Sequence, residues 1–446
     1  MALTRKNFPG VHNRLVARLY DMRGMTDRLG IGERVKWYRL RRGLSQEVLA
    51  DRVGRTADWL SKVERGLIPV DRLPVIKSLA DALDVSLGDL LSEPSLMEWT
   101  PDTGPRTVPA LRDALMDYQQ ITRLFGHHER EEPPPLDHLR HAVAEMWDAY
   151  QGARFGLVTR ELPAVLAGAQ LATREYGGDD RHRAYGLLAM AYQAAAVTLP
   201  KVGEQELAWI ASDRGLAAAE RSGDPVIMGS LFRSVTHSLL SVGQYAAAVR
   251  MTEQAADYLR DELAQRSPDV SPVFAVLTDA GHEPSADLLS VYGTLFLTGA
   301  MAAARNEDRA TVRTFLAEAD AIALQLGRDA NRVWTSFGPT NVAIHRVATA
   351  AELGDMQVAV DLGPQIDASA LPVERQARHA LEVARALSAW NRRDQALTVL
   401  LDAERLAPEQ VRYHFLSRQL VLGWIRTQKG KPPLALADLA RRLHVA

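Results

Sequence analysis

Between Ser45 and Gly66 the chain reads SQEVLADRVGRTADWLSKVERG, and that spelling leaves few ways to fold. Ser45 and Thr56 stand where a helix N-cap accepts backbone N–H groups, and Gly54 and Gly66 where a helix ends in a left-handed residue. The two helices so bounded are too short to persist alone, so they must bury a shared face. Ala50 is small enough for a close crossing, and Val48, Leu49, Val53, Leu60 and Val63 supply the common core. That core leaves uncovered Gln46, Arg55, Thr56 and Ala57, and further on Asp58, Trp59, Ser61 and Lys62.

The same punctuation predicts five short helices from Ile31 to about Leu91. The first, GERVKWYRLRRG, turns Val35, Tyr38 and Leu40 inward; LPVIKSLADALDV and SLGDLL complete the set. Residues 1–30 read as an arm or one extra helix, residues 31–92 as the five-helix domain, and the Pro-rich stretch 93–109 as a linker. A second break spans 127–137. Residues 110–432 are rich in Ala and Leu at helical spacing, with one possible strand at 272–277, and 433–446 reads as a terminal helix capping the stack. The expected fold class is all-α.

Charge is distributed unevenly. Residues 1–92 carry 17 Lys and Arg against 11 Asp and Glu, a net +6, and the remainder carries 36 against 44, a net −8. A basic head on an acidic body suits a polyanion-binding module joined to something else. The chain has no Cys, which excludes disulfides, thiolate nucleophiles and Cys-based zinc sites. No signal-like stretch opens the sequence and no unbroken run of 18 apolar residues occurs, so a cytoplasmic protein with no membrane span is expected.

A short helix, a turn and a steeply crossing second helix form the unit whose second helix fits the DNA major groove. Three segments carry a sharper likeness: R-x-x-x-G-L-S-Q-E-x-L-A at 39–50, W-L-S-K-V-E-R-G at 59–66 and L-A-x-A-L-x-V-x-x-x-x-L at 79–90. They resemble the Cro/repressor type of helix-turn-helix, the XRE family. Groove geometry then assigns roles. Gln46 bonds a phosphate or reaches a base edge, and Thr56 caps the reading helix and touches phosphate. Ala57, Asp58, Trp59 and Lys62 face the bases, although Trp59 equally suits a half-buried position. Arg41, Arg42, Arg55, Ser61 and Arg65 hold the backbone. Glu64 is structural, pairing with an Arg of the first helix such as Arg39. One such head reads few base pairs, so a homodimer on two half-sites of an operator in double-stranded DNA is expected.

The long body reads as a repeat, with small residues at the packing point of each second helix: Val158, Ala208, Ala248, Val312, Ala359 and Ala396. Units such as GQYAAAVRMTEQA, GDMQVAVDLGPQI and NRRDQALTVLLDA put Gly or Asn in the turn. They resemble the tetratricopeptide repeat, whose stacked helix pairs form a superhelix; these units are longer than that motif. The alternative is an all-helical domain of irregular pairs. In the superhelix the first helix of each pair lines a concave wall. Here that wall draws on Arg140, Trp147 and Tyr150, then Met190 and Gln193, then Arg233 and His237. Further along it draws on Phe296, Asn341, Arg378 and Arg385. Amides that clamp main chain beside arginines that pair carboxylates suit an extended peptide or an acidic small molecule. Trp147, Tyr150 and Phe296 fit an apolar core as well.

A repressor-type head before a helical-repeat body resembles the peptide-sensing RRNPP regulators and a set of actinobacterial regulators of the same layout. That resemblance implies a transcriptional regulator with a signal-sensing, quorum-sensing-like body, and Asn341 as the clamp on a peptide backbone. The alternative keeps the DNA-binding head and makes the repeats a protein-docking scaffold. No Walker loop, dinucleotide fingerprint or nucleophile elbow is present, so no enzyme and no cofactor are expected. His127, His128 and Glu129, and Asp179 and Asp180 with His182, read as solvated loops rather than metal sites.

Overall fold

The computed structural model describes residues 29–91, 107–116, 132–202, 204–265 and 284–445. Most of the expected N-terminal arm and linker, the possible strand at 272–277, and His127, His128 and Glu129 lie outside them. The described residues are helical throughout and contain no strand, only an isolated bridge between Ala330 and Phe337. The chain divides into two compact units. One takes the residues up to Asp71, Val75–Pro94 and Arg418–Ala446; the other takes Ser95–Ser417 with Arg72–Pro74.

The first unit contains the five short helices: α1 (Ile31–Arg41), α2 (Gln46–Arg52), α3 (Ala57–Glu64), α4 (Leu73–Leu83) and α5 (Leu87–Leu91). Its caps are the ones the sequence spells. Ser45 Oγ accepts from Val48 N and Thr56 Oγ1 from Trp59 N, each at 3.2 Å. Gly54 ends α2 with φ +64°, a conformation that any Cβ would strain. Gly32 serves a different end: a Cβ there would lie 1.9 Å from the carbonyl oxygen of Val63, so α1 crosses the end of α3 in direct backbone contact. The core is Val35, Leu49, Ala50, Leu60 and Val63, joined by Ile76, Leu79, Leu83 and Leu90.

Two expected core residues face outward. Leu40 is 59% exposed and Val48 44%. Each follows or precedes an inward residue by one position, Arg39 and Leu49, and one step along a helix turns a side chain by about 100°. In α1 the inward row is Ile31, Val35 and Arg39, so the polar Arg39 takes the place the apolar Leu40 was expected to hold.

The second unit opens with α6 (Thr107–Met116) and then runs as six helix pairs. They are α7 (Leu136–Gln151) with α8 (Phe155–Glu175), α9 (Gly178–Thr198) with α10 (Gln205–Ser222), and α11 (Pro225–Ser241) with α12 (Tyr245–Gln265). Next come α13 (Pro284–Arg305) with α14 (Arg309–Leu326), α15 (Pro339–Glu352) with α16 (Met356–Leu362), and α17 (Val373–Ala389) with α18 (Arg393–Leu406). A 3₁₀ turn, Leu199–Val202, joins α9 to α10. Partners within a pair pack on each other, and each first helix also packs on the first helix of the next pair. The last first helix, α17, returns to touch α7, so the inner row closes on itself.

All six small residues read from the sequence sit on the second helices and are buried, Val312 being the most exposed at 4%. A left-handed residue makes the turn inside five of the six pairs: Ala153, Gly243, Glu307, Gly354 and Asn391. Helix α13 is long and apolar enough to cross a membrane, but its residues are buried inside the unit, as befits a core helix. Pro408 starts a further helix, α19 (Pro408–Tyr413), where its missing N–H is harmless. Helices α20 (Phe415–Thr427) and α21 (Leu434–Arg442) follow. Residues 433–446, expected to cap the repeats, group with the N-terminal unit, where Arg426 near the end of α20 pairs with Glu33 of α1 at 2.7 Å.

Candidate functional site

In the first unit the core leaves one face of α3 unused. Arg55, Thr56, Asp58 and Arg65 are exposed, and Ala57, Trp59, Ser61 and Lys62 are half-buried along the same helix. Arg41 and Arg42 are exposed at the end of α1. The basic groups are held in place. Arg55 lies over the Trp59 ring at 5.6 Å, Arg41 over Trp37 at 5.1 Å, and Arg65 Nε donates to Ser61 O at 3.2 Å. Lys62 pairs with Asp58 one turn earlier at 2.6 Å, so two expected base-reading groups neutralise each other. Arg42 bonds Asp84. Trp59 takes the half-buried alternative.

Beneath that face lies an ion cluster. Arg39 Nε meets Glu64 Oε1 at 2.5 Å and Arg39 Nη2 meets Oε2 at 2.9 Å, and both side chains are nearly inaccessible. Gln46 Nε2 donates to the same Oε2 at 2.7 Å. The anchoring of Glu64 by Arg39 agrees with the sequence. Gln46 is therefore tied by its amide nitrogen to the core, with its oxygen left for a neighbour. The cluster fixes α1, α2 and α3 to one another, and so fixes where the face of α3 points.

A crossing helix pair with an exposed, basic second helix defines a helix-turn-helix protein, and residues 31–93 match the family model described as a helix-turn-helix domain. Two relatives are the HTH-type transcriptional regulators SinR of Bacillus licheniformis and of Bacillus subtilis (strain 168). Each is 32% identical over 85 residues, 19% of this chain and 77% of the relative. The chain belongs to the helix-turn-helix transcriptional regulators and is a DNA-binding protein.

The body holds a second concentration of polar groups, on the inner helices. Tyr150 (α7), Arg233 and His237 (α11), Asn341 (α15) and Arg378 (α17), five of the residues the sequence reading put on its concave wall, come together there. Four residues outside that reading join them: Lys201 from the 3₁₀ turn, Glu374 and Arg375 from α17, and His414 from the α19–α20 junction. His345, one turn beyond Asn341, completes the group. Lys201 Nζ meets Glu374 Oε1 at 2.7 Å, Arg378 donates to His414 Nε2 at 2.7 Å, and His345 Nδ1–H donates to the Asn341 carbonyl at 2.8 Å.

His237 is solvent-exposed, and Tyr150, Lys201 and Arg378 are partly exposed, although they belong to one group gathered by an inner row of helices that closes on itself. The inner helices therefore enclose a hollow. Its electrostatics are cationic. Burial and the charge of Arg375 hold the His345 imidazolium down to about 3, and burial with Arg233 depresses His237 likewise. Burial pushes the Glu374 carboxyl up, but Lys201 and Arg375 bring it down to about 2. Burial lowers the Arg233 guanidinium to about 10.

The remaining sequence candidates do other work. Trp147 and Met190 are core, with Trp147 Nε1 donating to Met190 O at 3.3 Å. Phe296 packs on Tyr292 and Phe315. Gln193 is buried and donates to Ser230 O at 2.8 Å. Arg385 sits between Glu352 and Glu382, and Arg140 pairs with Asp137. Asp179, Asp180 and His182 lie exposed on the first turn of α9, where acidic groups favour the helix dipole.

Proposed function

We propose that this chain is a non-enzymatic, sequence-specific transcriptional regulator acting in the cytoplasm. A homodimer places two copies of α3 in successive major grooves of an operator, and its tetratricopeptide-like body binds an effector that alters DNA affinity. The observation that carries the reading is the pairing of a helix-turn-helix head with a body whose closed inner row gathers unpartnered polar groups. Among the described residues the buried Asn341 amide has no hydrogen-bond partner for either atom, and the Nε of Arg233 none. A purely architectural body has no use for such groups, since burying a polar atom unpaired costs about 1–3 kcal/mol. A docking scaffold would display its polar groups on an outer surface. A tenfold change in DNA affinity needs a differential effector affinity of only about 1.4 kcal/mol between two states.

Selection of bound duplexes from a random library, followed by anisotropy titrations with the full chain, tests the DNA side. Lys62→Ala with Arg55→Ala should weaken capture at moderate salt while leaving the circular dichroism unchanged. Undiminished capture by that variant would remove α3 as the reading helix.

A further inference from the structure

The hollow in the body has a charge imbalance that singles out a class of ligand. Its basic and acidic side chains, together with the buried ion-pair cluster that adjoins Arg378, comprise six bases, Lys201, Arg233, Arg305, Arg375, Arg378 and Arg385, and three carboxylates, Glu352, Glu374 and Glu382. The carboxylates are already engaged. Glu374 holds Lys201 at 2.7 Å, and Glu352 and Glu382 lie 3.2–3.7 Å from Arg305, Arg378 and Arg385. Arg233 and Arg375 form no side-chain hydrogen bond or ion pair among the described residues, and the Nε of each is buried and unpartnered. Arg375 is near enough to be among the groups that disfavour the charge of Arg233.

Like charges held together under protein attract a counter-anion, and a guanidinium binds carboxylate or phosphate through two parallel N–H donors. The histidines cannot supply that anion's partner charge, since His237, His345 and His414 are all held neutral. Tyr150, which is partly exposed, presents an aromatic ring to the hollow, and Phe155 and Trp147, both buried in the core, hold that ring at 5.6 Å each. Lys201 lies over the Phe155 ring at 5.8 Å, beside Tyr150.

We infer that the hollow between Tyr150, Arg233 and Arg375 binds a small organic anion, with a phosphate or carboxylate head on the two arginines and a flat apolar body against the Tyr150 ring. The inference rests on the effector reading given above and narrows it from peptide or small molecule to an anionic small molecule.

The test uses the full chain and phenyl phosphate as probe, with inorganic phosphate, benzyl alcohol and a short acidic peptide as comparisons. Phenyl phosphate at millimolar concentration should raise the melting temperature and bind in equilibrium dialysis, inorganic phosphate more weakly, and benzyl alcohol not at all. Arg233→Gln and Arg375→Gln should each weaken phenyl phosphate more than tenfold. Each should also raise the melting temperature of the ligand-free chain, because a like charge has left the hollow. Arg160→Gln, on an exposed turn beside Glu161, should change nothing. The inference is overturned if phenyl phosphate neither binds nor stabilises, if benzyl alcohol matches it, if the arginine variants bind as the wild type does, or if only the peptide binds. DNA capture measured in parallel separates the two readings. Anion binding that leaves capture unchanged keeps the inference and removes effector control; capture that responds to a cell extract while phenyl phosphate stays unbound removes the inference alone.

Discussion

Glu64→Ala is the most informative single change in the DNA-binding unit. It deletes both charge-assisted hydrogen bonds from Arg39, at 2.5 and 2.9 Å, and the 2.7 Å bond from Gln46. The Arg39 side chain is only 8% exposed, so its charge would stay buried without a partner. Removing one partner of a buried ion pair costs about 3–5 kcal/mol, a large part of the stability of a small domain. The matched double change, Arg39→Met with Glu64→Leu, removes both charges and keeps the volume, and should cost less than about 1 kcal/mol. Amide hydrogen exchange on peptides from 31–91 is the appropriate assay, because it reads local opening of this unit apart from the body. The single variant should lose protection in α1, α2 and α3 together and lose DNA capture; the double variant should regain both. A single variant with protection within 1 kcal/mol of the wild type, or a double variant no better than the single, would refute the view that this pair joins the three helices.

Other changes should behave as follows. Gly32→Ala places a methyl group 1.9 Å from the Val63 carbonyl oxygen and should destabilise the unit by at least about 1–3 kcal/mol in hydrogen exchange, since backbone rather than a flexible side chain must move. Lys62→Ala should lower the slope of log affinity against log salt by about 1 if the lysine leaves Asp58 for a phosphate, and should leave it unchanged if it stays paired. Arg426→Ala should cost no more than about 1 kcal/mol, because its pair with Glu33 is partly solvated. The body should weaken in acid. The folded pKa of His345 is about 3 against an ordinary 6.5, so between those values the unfolded chain binds a proton that the folded chain, with Arg233, Arg375 and Arg378 facing the ring, refuses. Stability therefore falls as pH falls from 6.5, by up to about 1.4 kcal/mol per pH unit for His345, and likewise for His237 and His414. His345→Gln should flatten that slope in denaturant titrations followed across the range.

Local chemistry explains which parts of the fold were legible in the sequence. Caps and terminal glycines act over three or four residues, and Ser45, Thr56, Gly43, Gly54 and Gly66 all do what their positions predict. Periodicity also sufficed for the second helices of the body, whose small residues fall at one buried point per pair. It failed at Leu40 and Val48, where a hydrophobic residue one step off the inward row cannot be told from a core residue without the partner helix. The turn residues show the same limit: Gly243, Gly354 and Asn391 announce a left-handed conformation, whereas Ala153 and Glu307 adopt it with no sequence signal, held by the packed helices on either side.

The hollow was half legible, for a reason that bears on what it does. Tyr150, Arg233, His237, Asn341 and Arg378 lie on first helices, where spacing tells which side faces inward. Arg375, three residues before Arg378 on the same helix, shares that face and follows the same rule. Lys201 and His414 stand on connections, where no period applies, and only the closure of α17 onto α7 brings them to the group. Replacing buried charge by well-packed apolar residues is often neutral or stabilising, so stability alone does not account for Arg233 and Arg375 with a buried Nε that no described residue bonds. An arrangement that raises the free energy of the empty protein is useful when a ligand lowers it again, since the relief adds to binding and ties occupancy to the conformation of the inner helices. On the proposed reading the face of α3 would work by a milder form of the same principle: Lys62 and Asp58 pair with each other, and exchanging that exposed pair for a contact to DNA would cost little.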